Sequence, residues 1–231
     1  CAPPSPALGR GGKQSSRTRR PGRRLRGAGL ALLIELGEVQ LGQQQRLEAA
    51  VAGLVGQDGA GEGEEHLRAV HQVEALGQAA LDAARIFVAG LGRSGLVMRM
   101  AALRLMQLGL SVHVAGDATT PAIGPGDLLI VGSGSGETGG MLHIARRALT
   151  ADARVAAITA QPASTLAQLA RVCVIVPGTT PKADGQLASR LPMATVLEQS
   201  FLVVLDCLVA WLAERLGRTD ETMMARHANL E

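Results

Sequence analysis

Aromatic side chains are nearly missing: there is no Tyr, one Trp (Trp211) and two Phe, Phe87 and Phe201. A core built under that restriction draws on Ala, Leu, Val and Met. A base-stacking platform for single-stranded nucleic acid is excluded for want of exposed rings. Cysteine is scarce too. Cys1, Cys173 and Cys207 give an odd count without metal-ligand spacing, which excludes a disulfide scaffold and a zinc module. Cys173 and Cys207 lie in apolar runs, where buried free thiols belong, and unpaired thiols suit a reducing compartment such as the cytoplasm. Long apolar stretches are lacking as well. The best one, residues 191–212, is interrupted by Glu198 and Asp206, short of the roughly 18 uncharged residues of a membrane-crossing helix. Residues 23–34 pair basic side chains with an apolar GAGLALLI, but Glu35 follows before any small-residue cleavage site, so neither a signal peptide nor membrane association is expected.

What is present is a chain of 231 residues, 47% apolar and holding 29 Gly. That suits one α/β domain with appendages and excludes collagen-like and wholly disordered classes. The net charge of +3 hides an asymmetry: residues 1–29 carry seven Arg, one Lys and no acid, leaving 15 basic and 20 acidic groups on the rest. The body is mildly acidic, and nucleic-acid binding by it is not expected. Residues 1–60 read as a disordered or misassigned N-terminal extension, and residues 61–231 as the folded domain. The first residue, Cys1, suggests a fragment or a start placed upstream of the natural one.

From residue 63 the pattern becomes regular. Leu67, Val70, Val73, Leu76 and Ala80 recur at helical spacing over 64–84. Apolar runs at 86–89, 111–115, 127–131, 154–159 and 172–176 read as strands, with helices ending at 108 and spanning 138–150 and 164–170 between them. A polar loop at 178–188 leads to a long helix, 191–216, and Thr219 caps a last helical segment. Continuous apolar strands alternating with helices specify an all-parallel sheet covered on both faces. The expected fold class is α/β, a three-layer α-β-α sandwich with a five-stranded parallel, flavodoxin-like sheet.

Ligands of such sheets bind beyond the carboxyl ends of the strands, and two glycine-rich loops fall there. One holds Gly90, Gly92, Arg93, Ser94 and Gly95; the other is GSGSGET, residues 132–138. Glycine lets backbone approach an oxyanion, and a helix that follows offers unpaired N–H groups. With hydroxyls from Ser133, Ser135 and Thr138 the second loop suits a phosphate monoester. It contains no Lys, which removes a nucleoside-triphosphate P-loop. The Gly-x-Gly-x-x-Gly of the first loop is a weak dinucleotide signal, with Asp117 only loosely placed as its acidic partner. Glu137 reads as a residue of the following helix start. His66, His71, His113 and His143 show no metal spacing, and no metal or other cofactor is expected.

At these residues the chain resembles a known family. IFVAGLGRSG (86–95), LRLMQLG (103–109), Thr120-Pro121 and GSGSGET (132–138) are similar to the sugar isomerase (SIS) domain. LPMATVLE (191–198) and ARHANLE (225–231) narrow the resemblance to the 6-phospho-3-hexuloisomerases. It covers roughly residues 64–231 and implies interconversion of D-arabino-3-hexulose 6-phosphate and D-fructose 6-phosphate. By resemblance Glu198 is the general base that shuttles a proton through a cis-enediolate; a carboxylate partly buried among Leu and Val is suited to taking and returning a proton. His227 is by resemblance the acid/base partner at the substrate oxygens or in ring opening; a terminal helix is poorly placed to reach its own sheet edge, so donation of His227 into a neighbouring subunit's site is expected, and the related proteins imply a homotetramer. Phosphate contacts fall to Ser94, Ser133, Ser135 and Thr138, with backbone at Gly92, Gly134 and Gly136. Arg93 pairs with the phosphate or stabilises the enediolate oxygen, and Thr119 and Thr120 contact the sugar. The resemblance further implies a cytoplasmic enzyme of formaldehyde assimilation, in the ribulose monophosphate pathway, that works with a 3-hexulose-6-phosphate synthase.

Three other readings stand beside this one. Arabinose 5-phosphate isomerases share the loops but commonly carry a C-terminal regulatory domain, which is not expected in a sequence read to Glu231. A phosphosugar-binding regulator needs an N-terminal helix-turn-helix, and residues 1–60 show no trihelical core. A nicotinamide oxidoreductase has no use for the serine-rich loop.

Overall fold

The structure, a computed structural model, describes residues 62–178 and 193–230. Residues 1–60, expected to be an extension, most of the polar loop and the first residues of the expected long helix lie outside the described residues. In chain order the elements are α1 Glu62–Leu81, β1 Ile86–Gly90, α2 Gly92–Gln107, β2 Val112–Val114, β3 Leu128–Gly132, α3 Gly139–Thr150, β4 Arg154–Thr159, α4 Thr165–Leu169, β5 Val172–Ile175, α5 Thr195–Arg215 and α6 Asp220–Met224. Each expected strand is found, with ends shifted by no more than two residues. The last segment is helical for a single short stretch; Thr219 caps it by accepting from the Thr222 amide at 3.3 Å.

All neighbouring strands are parallel, in the order β2-β1-β3-β4-β5. The chain leaves β1 for one side of it and returns for β3 on the other, so the switch point of the sheet lies between β1 and β3. Their register pairs Gly90 with Gly132, and the two glycine-rich loops therefore leave the sheet side by side.

Strand alternation splits the core into two layers. Ile86, Val88, Leu128 and Ile130 face α1, α2 and α5, packing with Val73, Leu76, Met98, Leu105, Phe201 and Leu208. Phe87, Ala89, Leu129 and Val131 face α3 and α4, packing with Met141, Ala145, Val155 and Leu166. Each layer holds one of the two Phe. On the outer edge of β5 the Gln72 side chain of α1 accepts from the Ile175 amide at 2.9 Å, a cover for an otherwise open strand edge. Cys173 is half-buried and Cys207 buried, both as free thiols, and burial pushes them up to about 11 and about 12.

Helix α5, interrupted by Glu198 and Asp206 as read above, is by length and composition alone long and apolar enough to cross a membrane, and half of its most apolar window is buried inside the protein. Leu197, Phe201, Val204, Leu208 and Leu212 line its core side, the pattern of a central helix in a folded domain.

Candidate functional site

The crevice at the switch point is built from tight backbone turns. Gly90 and Gly95 approach so closely that a Cβ on Gly95 would stand 2.6 Å from the Gly90 carbonyl oxygen. That contact folds the loop back and starts α2 at Gly92, in a left-handed conformation (φ 58°). Arg93 projects two-thirds exposed from the first turn of α2, and Ser94 sits half-buried behind it.

The serine-rich loop is fastened on the opposite side. The Ser133 amide donates to Ile158 O at 3.0 Å, and Gly134 O accepts both the Ala160 amide and the Thr159 hydroxyl at 3.1 Å. Gly136 O accepts the Leu166 amide at 3.1 Å. Gly136 has φ 63°, and a Cβ there would collide with the Ser164 side chain. The Ser133 hydroxyl lies 3.2 Å from that of Thr138, and Ser135 Oγ accepts the Glu137 amide at 3.2 Å. Two readings of this loop change. The Gly136 amide is spent on Ser133 O at 3.0 Å, so it is no phosphate donor. Glu137 serves not its own helix but α4, accepting from the Thr165 amide at 2.6 Å; this contact holds its carboxyl below the usual range. The unpaired helix-start N–H groups expected after this loop are the amides of Gly139 and Gly140. They open α3, whose N-cap residue Thr138 makes no side-chain cap bond. Thr159 and Ser164 were missed as supports of the loop. The signal for Thr159 was a lone hydroxyl closing an apolar strand.

Glu198 reaches the crevice from α5. One turn further on, Phe201 packs beneath Gly132, where a Cβ would meet its ring at 3.1 Å, and Gly178 at the end of the β5 connection abuts Leu197. The first turns of α5 thus lie across the carboxyl ends of the strands. The Glu198 side chain is 11% exposed, and its Oε2 accepts a hydrogen bond from Arg93 Nε. The structure therefore brings Arg93, Ser94, the serine-rich loop and Glu198 together at one mouth.

Other candidates stand apart. The Thr120 hydroxyl donates to Val114 O at 2.5 Å, inside its own loop, and Thr119 is exposed on the same loop beyond β2. Asp117 is taken up by Arg99, at 2.5 and 3.1 Å, and offers no hook for a nucleotide ribose. His227 is exposed at the far end of the molecule. Its neighbour Arg226 lies against Gly109, just beyond α2, and Arg218 donates to Leu108 O at 3.0 Å. The length of α2, about 24 Å, separates that end from the mouth. His113 packs on Phe87, with ring centroids 5.2 Å apart, while His71 and His143 are exposed. Among the described residues no His, Cys, Asp and Glu group could hold a metal ion. A separate groove of about 500 Å³, lined by Arg68, His71, Gln72 and Cys173 among others, lies between α1 and β5 and not at the mouth.

A switch-point crevice with hydroxyls, helix-start amides and an arginine suits a phosphorylated small molecule, which sets the class of α/β protein to which the chain is to be compared. The SIS domain family matches residues 81–203. The 3-hexulose-6-phosphate isomerase of Mycobacterium gastri is 48% identical over 160 residues, covering 69% of this chain and 80% of the relative. That of Bacillus subtilis is 39% identical over 162 residues, covering 69% and 87%. Among solved structures, a Methanococcus jannaschii protein inferred to be a 3-hexulose-6-phosphate isomerase is 31% identical, with a TM-score of 0.63 over 70% of this chain and 86% of that one. The chain belongs to the SIS domain family, within its group of 3-hexulose-6-phosphate isomerases.

Proposed function

We infer that the protein interconverts D-arabino-3-hexulose 6-phosphate and D-fructose 6-phosphate. The observation that carries this reading is the Glu198 carboxylate, set beside a phosphate-suited loop in a chain whose relatives are 3-hexulose-6-phosphate isomerases. The phosphate sits against Ser133, Ser135, Thr138 and the first amides of α3, with Ser94 across the crevice. Glu198 takes the proton from C2, beside the C3 carbonyl, and the electron pair forms the cis-enediolate. Return of the proton to C3, with transfer of a hydroxyl proton from O2 to O3, leaves the carbonyl at C2. Arg93 pairs with the phosphate or with the oxygens that carry negative charge in between.

His227 assists the oxygen-to-oxygen transfer from a neighbouring subunit, since it lies about one α2 length from the mouth of its own. The working enzyme is a homotetramer. Leu96, Met100, Leu103 and Met106 form an exposed stripe along α2, from the mouth towards its far end, a surface of the kind that subunits cover. A cytoplasmic location and a supply of substrate from a 3-hexulose-6-phosphate synthase, in formaldehyde assimilation, complete the reading. Relatives at 39–48% identity that are 3-hexulose-6-phosphate isomerases disfavour an arabinose 5-phosphate reaction.

The test is a coupled assay: ribulose 5-phosphate, formaldehyde and a synthase are supplied, and fructose 6-phosphate is followed. The chain should sustain turnover, and Glu198→Gln should lower kcat by about 10²–10⁴-fold without loss of sugar-phosphate binding. A well-folded oligomer with no turnover, or a Glu198→Gln variant at near-normal rate, would end the respective part of the reading.

A further inference from the structure

Arg93 and Glu198 are joined although each has a task that the other obstructs. The carboxylate oxygen that accepts the guanidinium N–H is occupied and is not open to a substrate C–H. An arginine bound to a carboxylate is likewise not free for an incoming anion. The pair is also unequal: the Arg93 side chain is 67% exposed and that of Glu198 is 11% exposed. The arginine can swing into solvent, whereas the glutamate is held by its helix and by the packing of Leu197 and Phe201. Among the described residues Glu198 is the hydrogen-bond partner of Arg93, through Nε alone. The described loops at the carboxyl ends of the strands, residues 90–95, 116–126, 132–138, 160–165 and 176–178, contain no other Lys or Arg. The serine-rich loop offers hydroxyls and amides but no positive charge. Its neighbour across the crevice is close, since a Cβ on Gly140 would lie 3.4 Å from the Leu91 side chain, two residues before Arg93.

We propose that Arg93 is a latch on Glu198, closed in the empty site and drawn off by the phosphate of an arriving sugar phosphate, so that the base is released only when the site is loaded. A phosphate dianion at the serine-rich loop outcompetes a single carboxylate for the guanidinium, and the swing costs little because the arginine already lies largely in water. Arg93 thereby acts as a positioning residue for proton transfer as well as a ligand of the anion. The inference rests on the reading of Glu198 as the base, and its test is independent of turnover.

That test is a double-mutant cycle on the binding of inorganic phosphate to the full chain, by calorimetric titration. Arg93→Gln should weaken phosphate binding. Glu198→Gln should tighten it roughly three- to tenfold, because the arginine no longer has to leave a carboxylate. In the Arg93→Gln background the Glu198→Gln gain should vanish. A gain of equal size in both backgrounds would mean simple charge repulsion and overturn the latch, as would no gain in either. In turnover, Arg93→Lys should raise KM for fructose 6-phosphate, because an ammonium cannot reproduce the planar guanidinium fork; an unchanged KM would count against the latch. If the phosphate cycle behaves as expected while Glu198→Gln turns over normally, the latch stands and the base assignment falls.

Discussion

The two ends of the sheet each carry an arginine–carboxylate pair, and the pairs are built to opposite ends. Beneath the strands, Arg85 holds Asp127 with two hydrogen bonds, Nε to Oδ1 at 3.0 Å and Nη2 to Oδ2 at 2.6 Å. Asp127 also accepts the Gly124 amide at 2.8 Å, and Arg85 donates to Ala122 O at 3.1 Å. Asp127 is 1% exposed, and its acceptor sites are largely used. At the mouth, Arg93 and Glu198 share one bond, through Nε. Saturation marks a pair that joins loops to strands; an unsaturated pair in a crevice can exchange partners. The residue types alone do not distinguish the two, and the number of hydrogen bonds around each carboxylate does.

Removing each carboxylate sharpens the contrast. Glu198→Gln should lose the 10²–10⁴-fold of kcat given above and leave the melting temperature within a few degrees of the parent. Asp127→Ala should do the reverse. It strands an arginine that is a third exposed, removes the acceptor of the Gly124 amide, and should lower Tm by roughly 5–10 °C with kcat at saturation retained in the fraction that stays folded. If Asp127→Ala melts like the parent, saturation is not what separates the two pairs.

Acid should expose the same difference. Burial works to raise the pKa of Asp127, but the Arg85 hydrogen bonds and the Gly124 amide outweigh it, and the carboxyl lies below its ordinary range. A depressed folded-state pKa supplies stability that is complete above the unfolded value, about 3.9, and is lost as pH falls through the folded one. Thermal melts of the parent should therefore decline in Tm below about pH 4, and Asp127→Ala should show a shallower decline. Parallel curves for the two proteins would remove Asp127 as the source.

Next in size is the loop itself. Gly136→Ala places a Cβ against Ser164 and requires a left-handed backbone that alone costs about 1–3 kcal/mol. Because Gly136 N and O both fasten the serine-rich loop, the variant should bind inorganic phosphate at least tenfold more weakly. A Ser164→Gly second substitution should recover part of that loss by relieving the collision.

How much of this the sequence made legible follows from the range of the interactions. The strands were readable because runs such as 127–131 and 154–159 are apolar throughout, as burial on two faces requires, and their alternation with helices left few topologies. The two glycine-rich loops were readable because Gly90, Gly95 and Gly136 answer local backbone needs. The pairing of Arg93 with Glu198 was not, because it joins residues 105 apart through the placement of α5, which local pattern does not encode. The same holds for Glu137, whose partner Thr165 lies 28 residues on. The distance of His227 from its own mouth was anticipated from its position in a terminal segment. The fate of Asp117 was hidden until Arg99, 18 residues earlier, turned toward it.

That last pair completes the series as its weakest member. Arg99 donates to both oxygens of Asp117, and these hydrogen bonds hold the Asp117 carboxyl below its usual range. The geometry is as good as that of Arg85 with Asp127, yet both side chains are open to water, at 51% and 39% exposure. Solvent and salt screen such a pair, and ordering two mobile side chains cancels much of its attraction. Asp117→Asn should therefore change Tm by no more than a degree or two, and raising salt from about 0.05 to 0.5 M should erase what difference there is. A larger, salt-insensitive drop would mean that burial is not what ranks the three pairs, and that the Thr119–Thr120 loop, which Asp117 anchors by accepting the Thr120 amide at 3.0 Å on its carbonyl, matters more to the fold than its exposure suggests.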